Sequence, residues 1–196
     1  MTSDNYKKIE NSVKEIMEKS RDPQHGLDHL NRVRANALRI VKILNLEPNI
    51  DTNLLSAICL LHDIPMNTTY KFPFGMLGKH LMEKSIVLKK LPGILEGLPL
   101  TGNERKIALT AIANHPLSIP YGHLNRGKDY YSKVLQDADS LDYVSGERTV
   151  SLERAKNKYF FYFLASLIAK PYLSWVKKNI RKFLNFPELA DRKNLT

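Results

Sequence analysis

Asp22-Pro23-Gln24-His25-Gly26-Leu27-Asp28-His29-Leu30-Asn31-Arg32-Val33 packs two histidines, two aspartates and an arginine into twelve residues. Two imidazoles four residues apart stand where an irregular segment turns into a helix. Leu30, Val33, Ala37, Ile40, Val41 and Leu44 then repeat at helical spacing, so the helix runs from about Gly26 to Leu44. His25 falls before the helix and faces its rim. His29 lies in the first turn and points inward.

Two further phrases complete the set. Ala57-Ile58-Cys59-Leu60-Leu61 is an apolar helix that ends in His62-Asp63. A carboxylate buried beside an imidazole costs several kcal/mol unless something neutralises it. A divalent cation does so, and groups around it then fix the imidazole tautomers. The third phrase is Gln136-Asp137-Ala138-Asp139-Ser140-Leu141-Asp142. Asp137 and Asp139 are two apart and cannot share a helix face, whereas Asp142, three after Asp139, lies on its side. Three separate helices thus supply two imidazoles and two carboxylates, a set suited to a divalent metal in the middle of a helical bundle.

Working outward, helical periodicity covers most of the chain. Ile9, Val13, Ile16 and Met17 form a stripe on a helix over Asn5–Lys19, with Ser3 or Asp4 as cap. Asp51 caps the helix that carries His62, and Pro65 stops it. Residues 67–78 read as a loop. A helix over Lys79–Lys90 is broken by Pro92-Gly93. Asn103 caps a helix ending near His115, before Pro116. Residues 116–127 form a second long loop, of a length that is often functional. Helices follow over Tyr130–Ser145, Val150–Ala169 and Tyr172–Leu184. The expected fold is all-α: one helical bundle of residues 1–150 that holds the metal, with basic, aromatic helices of 151–196 packed on the same domain.

Composition sets bounds. A chain of 196 residues with 43% apolar content builds one substantial core. The single cysteine, Cys59, excludes an internal disulfide and a cysteine zinc site. The N-terminus shows no signal-peptide pattern, and the longest apolar run, Tyr159–Ala169, is far shorter than the roughly 20 residues of a membrane span. The expected location is the cytoplasm. The net charge is +10, and the last 44 residues carry ten Lys/Arg against three Asp/Glu. That basic end reads as a solvated face, with nucleic acid, membrane or a phosphorylated substrate as the other readings. Tyr159–Phe163 reads as a core or dimer-packing stripe in preference to a base-stacking surface.

His29-x-x-Arg32-Val33, His62-Asp63 and Asp137-Ala138-Asp139-x-Leu141-Asp142, in that order, resemble the HD-domain superfamily of metal-dependent phosphohydrolases, over roughly Ser20–Glu147. The small stand-alone bacterial hydrolases of that group give the best match. The resemblance implies a helical fold and His29, His62, Asp63 and Asp139 as metal ligands. It also implies a divalent cation (manganese, magnesium, nickel, cobalt, zinc or iron) and hydrolysis of a small phosphate ester or anhydride, frequently a nucleotide. Where many members carry an acid shortly after His-Asp, this chain reads Ile64-Pro65-Met66-Asn67. A Gly-Ala pair of the small hydrolases is replaced by Tyr143-Val144-Ser145-Gly146-Glu147.

Around that set, Asp63, His25 and His115 are candidate catalytic groups. Arg32, His115, His123 and Lys128, with Arg126 beside it, are candidate substrate contacts. His80 reads as an ordinary surface residue. Without a Gly-rich phosphate loop, metal and basic side chains must hold the phosphate. The second reading is a regulatory or nucleic-acid-binding protein built on a degenerate core of this type.

Overall fold

In the computed structural model, the described residues are 1–19, 25–67, 76–116, 126–158, 167 and 171–191, and of 67, 76–82, 152 and 155–158 only the backbone is described. Among them every regular element is helical: α1 Ser3–Met17, α2 Leu27–Ile43, α3 Thr52–Leu61, α4 Ile64–Asn67, α5 Met76–Glu96, α6 Gly102–Asn114, α7 Tyr130–Tyr143 and α8 Gly146–Lys158. A further helix covers 171–178, followed by short 3-10 turns at Ile180–Lys182 and Pro187–Asp191.

The centre is α3. Asp51 accepts hydrogen bonds from Asn53 N at 2.9 Å and Leu54 N at 3.0 Å, closing two backbone donors that a helix start leaves open. Beyond that cap every residue from Leu54 to Leu61 is buried. A helix apolar on all sides must be surrounded, and α3 packs against α1, α2, α6 and α7. Leu55, Ile58 and Leu61 sit in one core with Val33, Ile40, Ala111, Ile112, Leu135 and Ala138.

Polar ties set helix directions. The Asp51 N–H donates to the Tyr131 hydroxyl at 2.9 Å, so α3 and α7 start side by side. His29 meets Asp142 while Asn36 Nδ2 donates to Ala138 O, so α2 runs antiparallel to α7. Consequently the first turn of α2 and the last turns of α3 and α7 gather at one end of the bundle.

Several element boundaries differ from expectation. Thr2, not Ser3 or Asp4, caps α1. Thr101, not Asn103, caps α6, and with Glu104 forms a reciprocal capping box. Pro65 does not stop α3; the helix ends at Leu61, four residues earlier, and Pro65 falls in the first turn of α4, where a missing N–H costs nothing. Pro92-Gly93 does not break α5, which runs from Met76 to Glu96 with Pro92 inside it. One backbone bond is lost there, beside the exposed Leu88, while Leu91 and Leu95 stay in the core. Burial of that apolar face outweighs the lost bond. The expected division after residue 150 falls inside α8. Tyr159–Phe163, His123 and much of the two long loops lie outside the described residues, and so does the side chain of His80. No helix among the described residues is long and apolar enough to cross a membrane.

Candidate metal centre

Helix ends position the histidines. At the C-cap of α3, His62 Nδ1 lies 2.7 Å from the carbonyl of Cys59, one of the acceptors a helix terminus leaves without a backbone partner. His115, at the C-cap of α6, repeats the device on Ile112 O at 3.4 Å. In both rings Nδ1 faces back along the helix and Nε2 faces the interior. His29 enters from the first turn of α2, with Nδ1 2.7 Å from Asp142 Oδ2.

These partners fix the tautomers. A backbone carbonyl only accepts, so His62 carries its proton on Nδ1. Asp142 is held at about pKa 2: burial opposes ionisation, but the His29 and Arg32 hydrogen bonds outweigh it. An ionised carboxylate only accepts, so Nδ1 of His29 is also a donor. Both Nε2 atoms are then bare lone pairs when the rings are neutral, and they stand 3.3 Å apart. Asp63 Oδ2 is 3.3 Å from His29 Nε2 and 3.5 Å from His62 Nε2; Asp139 Oδ1 is 3.5 Å from His29 Nε2. A cation placed among these Lewis-basic atoms would satisfy them together. The mixed nitrogen and oxygen set fits a divalent first-row ion.

Ionisation follows from the same crowding. Burial and Arg148 pull the pKa of His29 down, yet hydrogen bonds to Asp142 and Asp63 outweigh both and raise it to about 9. Burial lowers His62. Asp63 is penalised by burial too, but the surrounding imidazoles, His62 foremost, hold it well below the usual carboxylate range. Without a metal, one proton on His29 serves as the cation.

Donor atoms of His29, His62 and Asp139 lie within 4.8 Å of one another, and so do those of His62, Asp63 and His115. The two groups share His62 and form one continuous cluster. Asp137 points the opposite way: it accepts from Asn185 N at 2.7 Å, Asn185 Nδ2 at 2.9 Å and Phe186 N at 2.9 Å. It anchors the C-terminal segment on the far side of α7, and burial raises its pKa to about 6.

Of the outer candidates, Arg32 pairs with Asp142, Nε to Oδ1 at 2.5 Å. His25 packs edge-on to His29 with centroids 5.8 Å apart. His115 Nε2 lies 3.7 Å from Asp139 Oδ2. Lys128 is exposed just before α7 and makes no ion pair with the cluster among the described residues.

The sequence reading placed Asp142 beside Asp139 without giving it a role, and it missed Arg148 and Glu83. Asp142 orients His29 and anchors two arginines. Arg148 is buried, contacts His25 Nε2 at 3.2 Å and lies 3.9 Å from Asp142 Oδ2. Its spacing of six from Asp142 spans a helix break, so no periodicity exposes it. Glu83 brings a buried carboxylate 3.9 Å from His115 Nε2. An acid is therefore near the cluster, supplied by α5, 20 residues beyond Asp63, where no local motif marks it.

A cavity of about 690 Å³ adjoins His29, lined by residues of the first turns of α2 and of α8.

The HD domain family pattern matches residues 26–144. The chain belongs to the HD-domain family. Family members bind divalent metals, in agreement with the donor cluster. No curated protein matches the chain. The crystal structure of a predicted HD superfamily hydrolase from an uncultured Thermotogales bacterium superposes with a TM-score of 0.53 at 20% identity, covering 86% of this chain and 92% of that one. The HD fold is shared; residues 146–158 of α8 lie beyond the family match.

Proposed function

We propose that the protein is a divalent-metal-dependent phosphohydrolase acting on a nucleotide or another small phosphate ester or anhydride. The observation that carries this reading is the pair of bare Nε2 atoms 3.3 Å apart, flanked by Asp63 and Asp139. His29, His62, Asp63 and Asp139 would hold the ion. A divalent ion there supplies Lewis acidity, acidifying water and neutralising charge on a phosphoryl group.

The chain's own groups supply the rest. Asp139, with its side chain 23% exposed, lies on the solvent side of the cluster. Arg32 and Arg148 bring positive charge beside His29 and orient a phosphate. His25 packs on His29 and His115 packs on His62, and either would deliver a proton to the leaving oxygen. His123 and Lys128 are further phosphate contacts in this reading. The single buried Cys59 suits a reducing compartment, and we place the protein in the cytoplasm.

The experiment is metal analysis of the purified protein coupled to a phosphate-release screen over nucleotides and small esters. His62→Ala and Asp63→Ala are expected to lose bound metal and at least 10³-fold of the turnover. Equal turnover by mutant and wild-type proteins under several divalent ions sinks the assignment. Retained metal with no turnover, together with salt-dependent RNA or DNA binding, supports the regulatory reading instead.

A further inference from the structure

The cavity beside His29 is lined from two sides, one within the HD family match and one beyond it. Gly26, Leu27, Asp28, His29 and Arg32 come from the start of α2; Gly146, Glu147, Val150, Ser151 and Arg154 come from α8. Every α8 contribution lies outside residues 26–144. The part within the family match thus brings one member of the donor cluster, His29, to the cavity, while α8 forms the rest of the wall. At about 690 Å³ the space exceeds a bare phosphate several times and falls in the range that holds a small organic ligand.

The lining has a definite chemistry. Arg32 and Arg154 are balanced by Asp28 and Glu147, and Arg32 is already engaged by Asp142. Apart from the ion, the cavity therefore carries no surplus positive charge. A triphosphate, with three to four negative charges at neutral pH, meets only the cation and the arginines near it. The two lining carboxylates, Asp28 and Glu147, are instead acceptors for hydroxyl donors. Leu27 and the half-exposed Val150 offer apolar surface between them.

We propose that the cavity between α2 and α8 holds the hydroxylated organic body of a phosphate monoester, with its phosphate at the His29–Arg32 end, and selects against di- and triphosphates. Asp28 and Glu147 receive hydroxyl groups, and Leu27 and Val150 cover an apolar face. The inference rests on the phosphohydrolase reading for the orientation of the ester, but its test does not need turnover.

Equilibrium binding of methylene-phosphonate analogues, which cannot be hydrolysed at that bond, to the manganese-loaded protein reads the cavity directly. A nucleoside phosphonate and a sugar phosphonate distinguish the two sources of a hydroxylated body; tenfold or tighter binding of either than methylphosphonate is expected. The wild type should bind the monophosphonate at least as tightly as the matching triphosphate analogue. Val150→Trp, which fills the cavity, should weaken the bodied ligand at least tenfold, with bound manganese measured alongside. Glu147→Lys should shift the mono-to-triphosphate preference at least fivefold toward the triphosphate. Preference of the wild type for the triphosphate, or bodied-ligand affinity unchanged in Val150→Trp, overturns the proposal. A separate phosphate-release assay decides the hydrolase reading: binding that obeys these ratios without release leaves the cavity assignment standing and removes the enzyme assignment.

Discussion

A single carboxylate, Asp142, decides what His29 can do. It accepts from Nδ1, so the other nitrogen is left for a cation, and it also holds Arg32. Asp142→Asn presents the ring with an amide that can donate as well as accept, and the tautomer is no longer dictated. We expect metal affinity to fall about 10–100-fold, as for other groups that orient a ligand from behind, in a competition titration against a chromophoric chelator. The proton on His29 gives a second expectation. Its pKa is about 9 in the metal-free fold against 6.5 unfolded. A raised pKa contributes stability that is complete below pH 6.5 and lost as pH rises through 9. The metal-free protein should therefore lose up to about 3 kcal/mol over that window, read from urea midpoints. The metal-loaded protein, having no proton there, should show little of this slope.

Secondary elements show which features were legible and which were not. Helices α2, α3 and α7 follow from their apolar spacing, and the three phrases they carry do meet at one end of the bundle. Local rules misjudged α5, because propensity is a weak prior beside a buried face: Leu91 and Leu95 hold the helix through Pro92. They also missed Glu83 and Arg148, whose positions depend on how α5 and α8 dock and not on neighbours in sequence. Choosing Asp139 over Asp137 needed the resemblance, and the geometry explains the division: consecutive alternate residues on one helix face the metal cluster and the C-terminal anchor. The helix α5 retains an avoidable weakness. A Cβ added at Gly93 meets nothing within 4 Å, and its φ needs no glycine. Gly93→Ala should stabilise the protein by about 1 kcal/mol in urea unfolding.

At the scale of the molecule, one central helix joins core and chemistry: α3 is buried from Leu54 to Leu61 and is followed directly by His62 and Asp63, two members of the donor cluster. Cys59 lies in its last turn, fully buried, and burial pushes its thiol far above the ordinary range. Its carbonyl is the partner of His62 Nδ1. A thiol so placed is inert to alkylation while the fold is closed, because the thiolate is the nucleophile. It can be labelled only in molecules that have opened around His62, and opening there releases the ion. Iodoacetamide labelling under native conditions should thus slow about 100-fold when manganese is raised to 100 times its Kd. The lone cysteine then acts as a clock inside the protein, timing how often the centre comes apart.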